Sequence, residues 1–181
     1  SYTPPAGFAS PAVPVHKGST VFFDNVAAMR SRTWLDRSAY TYGLHGTPTS
    51  FTLEERIATL EGGTHTMLVS SGLAAVTMVD IALLKSGDQV LLPNNVYAPN
   101  KNFTRTELAA WGIGHAVYDA MDAASLAAAI TPKTKLVWLE AAGSVTLEFP
   151  DLRSLIRVVR DRAPQAVIAL DNTWGAGIAF D

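Results

Sequence analysis

The sequence has 181 residues, of which 48% are hydrophobic and 17% are charged, so it can fill a folded core and is not an intrinsically disordered chain. Its formal net charge of −2 provides no basic field for nucleic acid or an anionic membrane. The chain contains no cysteine, which excludes disulfides, thiolate nucleophiles and cysteine-ligated zinc.

Residues 1–48 show no sustained hydrophobic period and contain five prolines: Pro4, Pro5, Pro11, Pro14 and Pro48. The pattern predicts an extended arm with one short helix near residues 24–32. A stretch of this length with so little regular structure is unusual inside a compact domain. We therefore expect the arm to lie on another surface, for which a partner subunit is the leading candidate.

From residue 49 onward, the pattern alternates between helix and strand. Apolar residues at helical spacing predict a helix over 49–61, for which Thr49, Ser50 and Thr52 are alternative amino-terminal caps. The predicted strands that follow are 66–69, 89–92, 115–118, 135–140 and 166–170, and the predicted helices between them are 72–84, 100–111, 123–130 and 151–162. This alternation predicts an α/β fold in which a mostly parallel sheet is flanked by helices.

Ligands of open α/β sheets bind beyond the carboxyl ends of the strands, so the loops after strands are the candidate site. Ser70, Ser71 and Gly72 join a strand directly to a helix. The backbone N–H groups and the helix dipole at such a junction favour a phosphate, and the glycine allows close approach. The same residues also fit a plain serine cap on a buried helix, and the sequence leaves both interpretations open.

Two other residues after strands are candidates for ligand contact. Asp171 ends the last predicted strand, where its carboxylate either caps a following helix or stays ionised against a cationic ligand. Tyr97 lies in a proline-containing loop and is either a stacking partner for a flat ligand or a half-buried aromatic residue. The four histidines lack the spacing of a metal site, so no metal site is expected. The tryptophans are interpreted as core or interface residues: Trp34, Trp111, Trp138 and Trp174.

The apolar stretches are interrupted by charged residues before they reach the roughly 20 residues that a membrane helix needs. The amino terminus has no basic start followed by an apolar block, as a secretion signal would. We therefore expect a soluble, cytoplasmic protein without a membrane partner. Because no helix is predicted to cover the last strand, we also expect the sequence to be part of a longer polypeptide.

Five segments carry a resemblance to a known family: Tyr42–Thr49 (YGLHGTPT), Leu60–Gly63 (LEGG), Ser70–Ala75 (SSGLAA), Tyr97–Pro99 (YAP) and Asp171–Trp174 (DNTW). In this order they make the chain similar to the amino-terminal part of the pyridoxal phosphate (PLP)-dependent enzymes of Cys/Met metabolism. The resemblance implies PLP fold type I, like that of aspartate aminotransferase. It further implies that residues 1–48 form an inter-subunit arm and that residues 49–181 form the first part of the large PLP-binding domain.

The resemblance also implies roles for individual residues. The backbone amides of Gly72 and Leu73 would hold the PLP phosphate, and Thr173 would support the site. Tyr97 would stack on the pyridine ring and Asp171 would pair with its protonated nitrogen, so these two are the expected catalytic residues. A cationic ring accepts the electrons that are released when the α-proton of a bound amino acid leaves.

Assembly is a further implication of the resemblance. Tyr42 would bind the phosphate in the neighbouring subunit, which implies a homodimer or homotetramer with shared active sites. The family commonly has an arginine two residues after this tyrosine, where this sequence has Leu44. Either His45, Arg37 or another group compensates for the missing guanidinium, or phosphate binding is weaker; the sequence leaves both alternatives open.

Trp174 and the run Glu140–Ser144 (EAAGS) favour the subgroup that cleaves L-cystathionine by β-elimination to homocysteine, pyruvate and ammonia. The alternatives are another reaction of the family, such as that of a γ-lyase, a γ-synthase or a cysteine desulfhydrase, or a non-catalytic binding or assembly role. In the family, the lysine that carries the cofactor as a Schiff base follows the aspartate. All five lysines of this sequence precede Asp171, so that lysine and the arginine for the substrate carboxylate are expected beyond residue 181.

Overall fold

The computed structural model describes residues 6–7, 13–33 and 39–179. Contacts divide the chain into two compact units, Ser1–Leu68 and Val69–Asp181. No helix in the described part is long and apolar enough to cross a bilayer. The inter-subunit role of residues 1–48 and the cytoplasmic location stay predictions.

The first unit contains helix α1 (Val26–Arg30) and helix α2 (Pro48–Leu60), both close to their predicted positions. The cap of α2 is Thr47, whose hydroxyl accepts a hydrogen bond from the Ser50 amide while the Ser50 hydroxyl accepts one from the Thr47 amide at 2.8 Å. The predicted caps at residues 49, 50 and 52 are therefore wrong. Pro48 explains the earlier start, because its fixed φ and missing N–H suit the first position of a helix.

The residues that precede α1 are bonded to the segment that leads into α2. The His16 amide donates to the Thr49 hydroxyl at 2.8 Å, and the Gly43 amide donates to the Ser19 carbonyl at 2.7 Å. A Cβ atom at Gly43 would lie 1.9 Å from the Gly18 carbonyl oxygen, so this close approach of two backbones requires glycine.

The strand predicted at 66–69 is wrong. These residues are irregular and pair with none of the strands in the described part of the chain. The Leu68 amide instead donates to the buried Glu54 carboxylate at 2.9 Å. A side chain thus satisfies a backbone donor that a strand would pair with its neighbour.

The second unit is built on a four-stranded sheet: β1 (Gln89–Pro93), β2 (Gly114–Tyr118), β3 (Thr134–Glu140) and β4 (Val167–Asp171). The strands are all parallel and their order is β2-β1-β3-β4. The helices are α3 (Gly72–Leu83), α4 (Ala98–Phe103), α5 (Ala123–Ala129) and α6 (Leu152–Arg162). The predicted α/β fold class is therefore confirmed.

One predicted helix differs from the observed one. Residues 100–111 were expected to form a single α-helix, but α4 ends at Phe103 and continues as a π-helical segment, Thr104–Leu108. The Thr104 hydroxyl is buried and donates to the Asn100 side chain at 3.3 Å, so a polar contact accompanies the wider turn.

Apolar side chains cover both faces of the sheet. One core packs between the sheet and α3 and α4, and contains Val76, Leu84, Val90, Leu92, Val96, Leu108, Ile113, Leu136 and Trp138. The other packs against α5 and α6, and contains Leu91, Tyr118, Leu126, Val137, Leu139, Leu155, Val159 and Ala166. Because side chains alternate along a strand, Glu140 lies on the same face of β3 as Trp138, the face towards α3.

The strand order places a crevice at the carboxyl edge of the sheet. The chain runs from β1 to β2 on one side and then to β3 on the other side of β1. The connection from β1 leads to β2 and the connection from β3 leads to β4, in opposite directions along the sheet. Ligands of open α/β sheets bind at such a switch point.

Asp80 of α3 is fully buried in the core below this crevice. Its Oδ1 accepts a hydrogen bond from Trp138 Nε1 at 2.9 Å, while its Oδ2 has no partner among the described residues. Burial raises the pKa of Asp80 from its ordinary 3.8 to about 6, and the Trp138 hydrogen bond opposes part of that shift.

Asp80→Asn should remove a pH dependence of stability. A carboxyl whose pKa is raised in the folded state contributes stability below its unfolded pKa, and this contribution is lost as the pH rises through the folded value of about 6. Asparagine keeps an acceptor for Trp138 and does not titrate. The free energy of unfolding is measured with urea at several values between about pH 4 and pH 7. The variant should gain stability relative to the parent as the pH rises. Parallel stability curves would contradict the assignment.

Candidate active site

A cavity of about 290 Å³ opens at the carboxyl edge of the sheet, where it is lined by Gly72, Tyr97, Glu140, Ser144, Asp171, Thr173 and Trp174. Four of these residues were predicted from the sequence: Gly72, Tyr97, Asp171 and Thr173. They come from the start of α3, the loop after β1, and the end of β4 with the turn that follows it. The fold thus gathers three separate sequence segments at one place.

The start of α3 is compatible with both interpretations of residues 70–72, a serine helix cap and a phosphate site. Ser71 is the cap, and its hydroxyl accepts from the Ala74 amide at 3.1 Å. The amides of Gly72 and Leu73 precede the hydrogen-bond ladder of the helix, and no acceptor among the described residues takes either of them. A Cβ atom at Gly72 would meet nothing within 4 Å, so open space adjoins these two donors. The junction is therefore a serine cap that leaves two amides available to an anion.

Asp171 is held by the turn that follows β4. Its Oδ1 accepts hydrogen bonds from the Thr173 amide at 3.0 Å and from the Thr173 hydroxyl at 2.5 Å. This is an Asx-type turn rather than a helix cap, because the described residues after Asp171 form turns and no helix. The interpretation of Asp171 as a helix cap is thus wrong, and Thr173 fixes one oxygen of a carboxylate that lines the cavity.

Tyr97 and Glu140 meet between the loops that leave β1 and β3. The Tyr97 amide donates to Glu140 Oε2 at 2.7 Å, and the Glu140 side chain is only 4% exposed. Burial raises the pKa of Glu140 to about 7; the Tyr97 hydrogen bond opposes this shift, and the neighbouring Asp171 charge adds to it. The run Glu140–Ser144 was expected only to mark a subgroup of the family, and the contact between Glu140 and Tyr97 was not predicted. The available signal was a single acidic residue directly after the apolar run Leu136–Leu139.

The same two loops are joined by further contacts. The Ser144 amide donates to the Asn95 carbonyl at 3.0 Å, and Asn95 Nδ2 donates to Glu148 at 3.2 Å. A Cβ atom at Gly143 would lie 2.2 Å from Asn95 Nδ2, so the loops approach each other too closely for a side chain at this position. The loop after β1 and the loop after β3 are therefore interlocked.

The described tryptophans differ in their exposure to solvent. Trp138 lies in the core as predicted, but Trp174 is 66% exposed and lines the cavity, so a core role for it is wrong. Trp111 is about half exposed, and Trp34 lies outside the described residues. No lysine of the described part lines the cavity.

Tyr42 belongs to the first unit and lines a different cavity, of about 460 Å³, with Phe23, Met29, Arg32, Thr41 and His45. The Thr41 hydroxyl lies 3.0 Å from His45 Nδ1, and the rings of Tyr42 and His45 meet edge to face. Leu44 is 84% exposed. Two potential cations, Arg32 and His45, thus lie beside Tyr42, whereas Arg37 is outside the described residues.

Comparison with known proteins gives consistent matches. The family described as Cys/Met metabolism PLP-dependent enzyme matches residues 3–181. Cystathionine beta-lyase of Salmonella typhimurium is 38% identical, and MetC of Escherichia coli, also a cystathionine beta-lyase, is 35% identical; each alignment covers 92% of this chain and 42% of the relative. The chain therefore spans about two fifths of the length of these curated relatives.

A solved structure extends the comparison to the fold. The structure of metY from Campylobacter jejuni aligns with a TM-score of 0.85 at 27% identity, covering 93% of this chain and 41% of that one. It contains N'-pyridoxyl-lysine-5'-monophosphate, in which the cofactor is joined to a lysine.

Proposed function

Because the chain belongs to the family of Cys/Met metabolism PLP-dependent enzymes, we propose that it forms the amino-terminal part of a carbon–sulfur β-lyase that cleaves L-cystathionine to homocysteine, pyruvate and ammonia. The observation that carries the proposal is the cavity at the sheet edge, which gathers the start of helix α3 at Gly72, an aromatic ring and a carboxylate. The cystathionine beta-lyase names of the relatives and the residues Trp174 and Glu140–Ser144 support the β-lyase subgroup.

The residues of the cavity fit pyridoxal phosphate. Gly72 and Leu73 offer two amides without a described protein acceptor, beside open space in which a phosphate can lie. Tyr97 offers a ring on the cavity wall, and Asp171 offers a carboxylate whose Oδ1 is held by Thr173. An anion site, a flat apolar surface and a negative charge are the three features that the phosphate, the ring and the ring nitrogen of the cofactor require.

Each residue then has a definite task. The cofactor, when bound, supplies an electron-accepting ring for the bonds at the substrate α-carbon. Asp171 keeps a proton on the ring nitrogen by pairing with its positive charge, and Thr173 orients Asp171. Tyr97 holds the plane of the ring by stacking. The amides of Gly72 and Leu73 anchor the phosphate, so that the ring is held at both ends.

An assay of the complete enzyme with L-cystathionine tests the reaction. We expect pyruvate and homocysteine, since the carbon–sulfur bond on the β side breaks. Release of 2-oxobutyrate and cysteine would instead identify a γ-lyase, the main alternative within the family. Release of neither pair of products would contradict both lyase reactions and favour one of the remaining alternatives, which are a γ-synthase, a cysteine desulfhydrase and a non-catalytic binding or assembly role.

We also propose that the catalytic unit is a homodimer, which can pair again into a homotetramer, and that Tyr42 of one copy binds the cofactor phosphate of its neighbour. The cavity that contains Tyr42, Arg32 and His45 supports this proposal, because it supplies the Tyr42 hydroxyl and the Arg32 guanidinium although position 44 is leucine.

Tyr42→Phe should weaken PLP binding by about tenfold, because one hydrogen bond to a charged group contributes about 1.5 kcal/mol or more. Equilibrium titration of the complete enzyme with PLP measures the loss. Tyr40→Phe is the matched control, since the Tyr40 ring stacks on Phe51 and does not line the Tyr42 cavity. Equal affinities of all three proteins would contradict the role of Tyr42.

A further inference from the structure

Tyr97 owes its position to contacts of its backbone. Its carbonyl accepts hydrogen bonds from the amides of Asn100 at 3.0 Å and Lys101 at 3.3 Å, which begin helix α4. Its amide donates to Glu140 Oε2 at 2.7 Å. The first contacts fix Tyr97 to its own helix, whereas the second fixes it to the end of β3. The Glu140 bond therefore sets where the ring stands relative to the sheet edge.

Glu140 differs from the other groups that join these loops. Ser144, Asn95 and Glu148 also make hydrogen bonds between the loop after β1 and the loop after β3. Only Glu140 both accepts the Tyr97 amide and lines the cavity. A carboxyl group this deeply buried costs stability unless its hydrogen bonds compensate, so a structural role alone gives no reason for an acid here.

We propose that Glu140 is a positioning residue for the Tyr97 ring, acting as a hydrogen-bond acceptor and not through its charge. The proposal rests on the proposed function, in which Tyr97 stacks on the pyridine ring of PLP. Glu140 holds the Tyr97 backbone, and the backbone places the ring on the cavity wall.

The surroundings of Glu140 explain why acceptance rather than charge is its contribution. Glu140 and Asp171 are direct neighbours in the register of β3 and β4. The titratable groups on the cavity wall besides Glu140 are Tyr97 and Asp171, so no cation of the described chain lies there to pair with two carboxylates. In the proposed function, Asp171 is the carboxylate that would pair with the cationic ring of PLP, so Glu140 is not needed for its charge. A neutral Glu140 still accepts the Tyr97 amide through its carbonyl oxygen.

The experiment compares Glu140→Gln, Glu140→Met and Glu148→Ala in the complete enzyme. Gln keeps an acceptor oxygen without the charge, and Met keeps the length of the side chain without the acceptor. Glu148→Ala is the control, because it removes another bond between the same loops without touching Tyr97. Two quantities are measured: hydrogen exchange of the Tyr97 amide in the PLP-free protein, and the PLP dissociation constant.

Glu140→Met should speed exchange of the Tyr97 amide and weaken PLP binding by about tenfold or more, the size expected for one lost hydrogen bond in a buried site. Glu140→Gln should restore both quantities to within about threefold of the parent, and Glu148→Ala should leave both near the parent.

Three outcomes overturn the inference. Loss of PLP affinity in Glu140→Gln would assign the effect to charge. Equal losses in Glu140→Met and Glu148→Ala would reduce Glu140 to one of several loop contacts. Unchanged hydrogen exchange of the Tyr97 amide in Glu140→Met would show that the Glu140 bond does not position Tyr97, whatever reaction the protein catalyses. Asp171→Asn is measured in parallel to separate the positioning role of Glu140 from the proposed function. Loss of PLP affinity in Asp171→Asn but not in Glu140→Met contradicts the positioning role and leaves the proposed function standing. Loss of PLP affinity in neither variant contradicts both the positioning role and the proposed function.

Discussion

Asp171→Asn should lower the rate of β-elimination in the complete enzyme by at least about a hundredfold, because removing one group that stabilises charge at the reacting centre typically costs about 10²–10³ in kcat. The asparagine carbonyl still accepts from the Thr173 amide and hydroxyl, as Asp171 Oδ1 does now, so the turn after β4 should persist. What is lost is the negative charge that keeps the ring nitrogen protonated. Pyruvate release measures the effect.

Asp151→Asn is the control for this change. Asp151 caps α6 by accepting from the Ser154 amide at 3.1 Å, a task that asparagine performs equally well. Asp151→Asn also removes one negative charge, but at a residue that does not line the cavity. We expect normal activity and a normal melting temperature. Near-normal β-elimination by the Asp171→Asn enzyme would remove Asp171 from its assigned role.

Gly72→Val should weaken PLP binding by at least about a hundredfold, because the valine side chain fills the space that the phosphate needs beside the first helix amides. The backbone itself tolerates the change, since a Cβ atom at Gly72 meets nothing within 4 Å. The folded protein should therefore keep its melting temperature while its PLP dissociation constant rises.

Ser71→Ala should lower the stability of the protein more than its affinity for PLP, the opposite of Gly72→Val. It removes the hydroxyl that accepts from the Ala74 amide, which should cost about 1 kcal/mol of stability, and it leaves the space beside Gly72 open. A smaller change in PLP affinity is expected. Unchanged affinity in a folded Gly72→Val protein would make this junction an ordinary helix cap.

Sequence patterns predicted the sheet well for a physical reason. Each strand of the second unit is a short apolar run between turn residues, and its observed ends lie within one residue of the predicted ends. Buried parallel strands produce such runs because helices cover both faces. The strand expected at 66–69 is wrong because a strand also needs a partner, and periodicity carries no information about partners.

The candidate site likewise contains residues that were predicted from the sequence and contacts that were not. Gly72, Tyr97, Asp171 and Thr173 lie in segments that carry the family resemblance, and the fold brings them to one cavity. Glu140 was not predicted as a contact of Tyr97, because the bond joins a side chain to the backbone of a residue 43 positions away. Such a contact depends on how two loops are packed, and neither loop shows it alone. The exposure of Trp174 likewise follows from its place on the cavity wall rather than from its residue type.

The interlock between Asn95 and Gly143 has a consequence for directed evolution of this protein. With 2.2 Å available between a Cβ atom at position 143 and the Asn95 amide, a library that varies position 143 alone should return almost only glycine. The Thr146 hydroxyl lies 2.9 Å from the same Cβ position, so a library that opens space for a side chain there varies positions 95, 143 and 146 together. The three positions therefore form one unit of variation, and new specificity at these loops has to be sought in combined substitutions.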